Sequence, residues 1–102
     1  MDGGIEEAHQ LLNQLAARPE TRAEKLACLL APSYLDENKL ERKYTKLEKE
    51  GKAIEFFPIT YYGCPMVVVL VDGKRVEDPE EFLIKTFRPP KAMIDWARRE
   101  GD

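Results

Sequence analysis

Apolar positions recur at helical spacing through the first half of the chain and turn to alternation after Gly51. Ile5, Ala8, Leu11, Leu12 and Leu15 fall on one face of a helix expected over Ile5–Ala17, which Pro19 stops. Thr21 followed by Glu24 has the form of a capping box, and the helix it opens carries Leu26, Ala27, Leu29 and Leu30 as far as Pro32. Ser33 with Asp36 repeats that start signal more loosely. A third helix is expected from there to about Glu50, with Gly51 in the left-handed position that ends it.

Beyond Gly51, Ile54, Phe56 and Pro58 share one side of an extended strand, and Ala53, Glu55, Phe57 and Ile59 share the other. Pro58 cannot donate to a ladder, which places this strand at an edge or ends it there. Thr60 to Pro65 reads as a turn around Gly63, and Met66 to Val71 as a well-buried strand. Asp72-Gly73 is a two-residue hairpin signal that returns the chain through Lys74, Arg75 and Val76. Asp78, Pro79 and Glu81 start another helix, anchored by Phe82, Leu83 and Phe87 and broken at Pro89-Pro90. Ala92 to Glu100, with Met93, Ile94, Trp96 and Ala97, is a last short helix. The expected fold is α+β in a single domain over 1–102: three N-terminal helices, a small antiparallel sheet with β-hairpins, then two short C-terminal helices.

Composition narrows the function without naming it. At 102 residues, 43% hydrophobic and 34% charged, the chain is one domain with enough apolar material for a core. Its net charge of −3 gives no global attraction to nucleic acid or anionic lipid. The longest near-continuous apolar run, Cys64 to Val71, is far short of the roughly 20 residues that cross a bilayer, so no membrane role is expected. No basic stretch leading into an apolar run opens the chain, and two thiols fit a reducing cytoplasm.

Local charge is less even. On the expected third helix, Leu40, Tyr44 and Leu47 form a narrow apolar stripe. Lys39, Arg42, Lys43, Lys46 and Lys49 occupy an arc of roughly 120° beside it, with Glu37, Glu41 and Glu48 on the other flank. Such an arc is either a solvated face or a binding face. The order of elements resembles the winged helix-turn-helix superfamily. The resemblance rests on Thr21-Arg22-Ala23-Glu24-Lys25-Leu26-Ala27, a Pro-Ser turn, and Lys46-Leu47-Glu48-Lys49-Glu50-Gly51 before strand, loop and strand, and it covers residues 5–76. It implies a small non-enzymatic, transcription-regulator-like module that binds DNA or a protein complex through the basic third helix. Tyr61 and Tyr62 on the following loop would be further contacts, for a base, a sugar or a protein partner. No Lys or Arg lies between Lys52 and Lys74 to hold a phosphate at that wing. The alternative without nucleic acid is a protein–protein adaptor using Tyr61, Tyr62 and the C-terminal helices, and a homodimer is left open.

Gly63-Cys64-Pro65 before Met66-Val67-Val68-Val69 and Asp72-Gly73-Lys74 resembles the second half of a thioredoxin-like fold, over about residues 59–87. That resemblance implies a thiol protein using Cys64, although no C-x-x-C pair is present. Cys28, among Leu26, Leu29 and Leu30, reads as core. His9, the single histidine, reads as a surface residue, and neither a metal-ligand spacing nor a phosphate-cradling glycine loop occurs. No catalysis, no metal and no cofactor are expected.

Overall fold

The computed structural model describes residues 14, 17–36 and 38–99. The helix expected over Ile5–Ala17, and with it His9, lies largely outside them. The described chain opens with helix α1 (Pro19–Leu30), followed by six strands: β1 (Leu35–Asp36), β2 (Glu41–Arg42), β3 (Thr45–Lys49), β4 (Lys52–Tyr61), β5 (Cys64–Val71) and β6 (Lys74–Arg75). Helices α2 (Pro79–Phe87) and α3 (Lys91–Arg98) close it. β1 and β2 form a two-stranded ribbon, and the other four strands form one antiparallel sheet in the order β3-β4-β5-β6.

The expected three N-terminal helices and small wing are therefore corrected: one described helix precedes a six-stranded β region. The third helix does not form. Asp36 Oδ1 accepts from the amides of Asn38 and Lys39 at 3.1 and 3.3 Å, so its side chain folds a turn between β1 and β2. Leu40 then adopts φ 55° and is 79% exposed, incompatible with a core stripe. Glu50 and Gly51 both have positive φ, 54° and 77°, which is the two-residue hairpin turn between β3 and β4. A left-handed glycine serves a hairpin as well as a helix end, and here the hairpin uses it. Tyr62-Gly63 and Asp72-Gly73 repeat that turn, with φ of 50° and 76°, then 50° and 84°. The Asp72-Gly73 signal thus does what its sequence specifies.

Pro58 sits inside a central strand, and hydrogen-bond parity explains why it is tolerated. The amide of Asp72 donates to the carbonyl of Ala53 at 2.8 Å, so Ala53 and its alternates on β4 turn their peptide groups toward β5. Pro58 belongs to the other set, which faces β3. β3 ends at Thr45 opposite Phe56, so no strand of the sheet reaches the place where Pro58 lacks a donor.

α1 begins at Pro19, two residues before the expected capping box, with Arg18 as an extended N-cap and no side-chain cap. It packs Ala23, Leu26 and Ala27 onto Ile54, Phe56, Val67 and Val69 of the sheet, with Tyr34, Leu83 and Ala97 completing the core. Glu80 joins the three helices: its Oε2 lies 3.3 Å from Arg22 Nε of α1 and 3.1 Å from Arg98 Nε of α3. The opposite face of the sheet presents Tyr44, Phe57, Ile59, Val68 and Leu70, half-buried or exposed.

The start of α2 conforms to its sequence signal. Asp78 Oδ1 accepts from the amide of Glu81 at 3.0 Å, with Pro79 at the first helical position. Asp78→Ala should lower the unfolding free energy by about 1 kcal/mol through loss of this cap, read as a shifted urea midpoint at unchanged slope.

Candidate functional site

The basic residues singled out in the sequence do not share a helix face, because no helix is there. Lys39 is exposed in the β1–β2 turn. Lys43 follows β2, with its Nζ 3.6 Å from Asp36 Oδ2. Lys46 and Lys49 fall on opposite faces of β3, and Lys49 Nζ stands 5.2 Å from the Phe87 ring centroid. The reading as a winged-helix, DNA-binding transcription regulator loses the recognition helix on which it rested. The adaptor alternative rested on Tyr61, Tyr62 and the C-terminal helices rather than on that helix, and it is not carried further.

Arg42 leaves the group altogether. Its Nε lies 2.7 Å from Glu24 Oε2, and its terminal nitrogens donate to the carbonyls of Ile59 and Met66 and to Thr60 Oγ1. Glu24, 6% exposed, also accepts from the Tyr34 hydroxyl at 2.6 Å and from the Cys28 thiol at 3.6 Å. Burial, reinforced by the Glu24 carboxylate, pushes the Cys28 thiol up to about 12 and raises the Tyr34 phenol as well. This cluster is a structural lock between α1, the β1–β2 ribbon and the β4–β5 hairpin. Glu24, which the sequence offered as a capping-box residue, is its centre.

The thioredoxin-like reading is also corrected. Every strand pairing among the described residues is antiparallel, the Cys64-Pro65 peptide is trans, and Cys28 and Cys64 are both free. Cys64 Sγ lies 3.8 Å from Thr21 Oγ1, with no second cysteine positioned as a resolving thiol.

Tyr61 and Tyr62 occupy the β4–β5 turn region, their rings edge to face at 4.6 Å and exposed by 50% and 66%. Beside Tyr61 lies a cleft of about 220 Å3, walled by Arg18, Glu20, Ile59, Tyr61, Met66 and Arg75. Ile59, Met66 and Tyr61 make it apolar along the hairpin. Arg18 Nη2 donates to Glu20 Oε1 at 3.0 Å, so one guanidinium is already neutralised by a buried carboxylate. Arg75, exposed on β6, makes no ion pair with any described residue. Arg18 and Glu20 escaped the sequence reading because they form no recognised motif, and Arg75 because it lies far from both along the chain.

No protein-family model matches this chain, and neither a curated protein nor a solved structure matches it. No helix among the described residues is long and apolar enough to cross a membrane.

Two predictions separate the lock from the surface lysines. Arg42→Ala strands a buried carboxylate and should cost about 3 kcal/mol, whereas Lys43→Ala and Lys46→Ala should each stay within about 0.5 kcal/mol, by chemical denaturation. The second concerns alkali. Cys28 and Tyr34 both have raised folded-state pKa values, so the folded chain retains protons that the unfolded chain releases. Their stabilisation is complete below the ordinary thiol value of 9.0 and falls as pH rises toward about 12. Urea unfolding at about pH 7 and about pH 10 should show this loss, and Cys28→Ala should reduce it while leaving the Tyr34 contribution.

Proposed function

We propose that this chain is a non-catalytic binding module that takes a small amphipathic carboxylate in the cleft beside the β4–β5 hairpin. The observation that carries the reading is Arg75: a guanidinium without an ion-pair partner among the described residues, at the wall of a cleft lined by Ile59, Tyr61 and Met66. Guanidinium recognises a carboxylate through two parallel donors, and the apolar wall removes a hydrocarbon body from water. A volume of about 220 Å3 suits a ligand of fragment size, below the roughly 300 Å3 at which drug-sized sites begin. Glu20 is tied to Arg18 and is read here as a wall group rather than an acid or base. The two free thiols, Cys28 and Cys64, suit a reducing, cytoplasmic setting for the module.

The test uses 3-phenylpropionate and octanoate as probes, followed by NMR of the Ile59 and Met66 methyl groups. A dissociation constant on the order of 1 mM is expected for ligands this small. Arg75→Ala should weaken binding at least about tenfold with the fold unchanged, since the side chain is exposed, while the uncharged alcohols 3-phenylpropanol and octanol should bind no better than that variant. Absence of methyl shifts at about 10 mM probe, or equal binding by acid and alcohol, would overturn the assignment.

A further inference from the structure

The outer edge of β3 is built to meet itself, and we infer that two copies of this chain associate by antiparallel β3–β3 pairing with Lys46 of each opposite Glu48 of the other. β3 is the terminal strand of the four-stranded sheet, five residues long, with neither proline nor a bulge to blunt it. The parity that governs Pro58 also fixes what this edge displays. Ile54 and its alternates on β4 turn toward β3, so their partners Thr45, Leu47 and Lys49 direct their peptide groups inward. Lys46 and Glu48 are left to direct N–H and C=O outward.

Only outward-directed residues can form hydrogen-bonded pairs across a new interface. A two-fold axis therefore admits three registers around this edge: Lys46 opposite Lys46, Glu48 opposite Glu48, or Lys46 opposite Glu48. The first two set like charges against each other and centre on a single paired residue. The third uses all four outward groups of each copy, makes two opposite-charge pairs, and brings Leu47 beside its symmetry mate on the helix-covered face. Neither Lys46 nor Glu48 makes an ion pair with a described residue, and Glu55, the cross-strand neighbour of Lys46 on β4, is engaged by the Tyr44 hydroxyl at 2.6 Å. A lysine on an exposed edge ordinarily discourages pairing with foreign strands. In this register it meets a glutamate, and the edge becomes selective for a second copy. The opposite edge, β6, is two residues long and offers no comparable ladder.

Four backbone hydrogen bonds and two exposed ion pairs make a small contact, so the dimer should be weak and salt-sensitive, with a dissociation constant on the order of 100 μM. Sedimentation equilibrium of the full chain from about 10 μM to about 1 mM tests this at low and at high salt. Monomer–dimer exchange is expected, weakened several-fold at about 0.5 M salt. Lys46→Glu alone and Glu48→Lys alone place like charges in both pairs and should each weaken association at least about tenfold. Both side chains are exposed, and circular dichroism checks that the fold persists. The double exchange, Lys46→Glu with Glu48→Lys, restores opposite charges in the same register and should return association to within about threefold of the original. A chain that stays monomeric throughout, a dimer indifferent to either single change, or a double exchange that fails to recover would each overturn the inference.

Discussion

Burying a carboxylate obliges a protein to surround it with donors, and Glu24 shows how much structure one such obligation can organise. Its two oxygens take the Tyr34 hydroxyl, the Cys28 thiol and the Arg42 guanidinium. Arg42 is itself committed beyond Glu24, to carbonyls on both β4 and β5. Two side chains thus connect the first helix, the segment that follows it, the β1–β2 ribbon and the main sheet. Removing Arg42 leaves the Glu24 carboxylate buried without its cation, which costs more than the pair contributes when intact. The arrangement specifies a geometry more than it adds stability: alternative placements of α1 on the sheet leave a guanidinium or a carboxylate without its partner.

Apolar packing of α1 onto the core runs through Leu26, flanked by two alanines. Ala23 and Ala27 are among its buried positions, and small side chains allow close approach without selecting an angle. Ionic contacts supply the selection on both of its sides. Glu24 ties it to the strands, while Arg22 ties it through Glu80 to α2 and α3. Its first turn adds a third polar group, Glu20 held by Arg18, and this becomes one wall of the cleft beside the hairpin. The same helix therefore defines the core, the α layer and the candidate site.

How much of this was legible in the sequence depended on whether a signal had one structural meaning or two. Asp72-Gly73, the Asp78 cap and the Pro89-Pro90 break are local chemistry with one outcome, and each stands where the residues place it. Glu50-Gly51 had two outcomes, a helix end and a hairpin turn, and the spacing of Leu40, Tyr44 and Leu47 weighted the wrong one. The alternation of Thr45, Lys46, Leu47, Glu48 and Lys49 was present in the same stretch but carried only one strongly apolar position, too little to outvote a helical period. Glu24 was legible as a helix-start residue, yet its partners lie at Tyr34 and Arg42, a pairing no local rule supplies. At the candidate site, Tyr61 and Tyr62 were visible as aromatic turn residues, while Arg18, Glu20 and Arg75 converge only once the hairpin and α1 have met.

The three successive turns at Glu50-Gly51, Tyr62-Gly63 and Asp72-Gly73 also bear on the order in which the chain acquires its shape. Each joins strands through two residues, so every ladder of the main sheet closes from a minimal loop and can zip outward from its own turn. The contacts that bring α1 to the sheet span far longer stretches, as between Thr21 and Cys64, 43 positions apart. Closing those loops carries the larger entropic cost and is rewarded only when the strands already present their carbonyls to Arg42. Loop length alone therefore separates two kinds of contact: the meander closes between chain neighbours, whereas docking of α1 must close the longer loops before the buried charges meet.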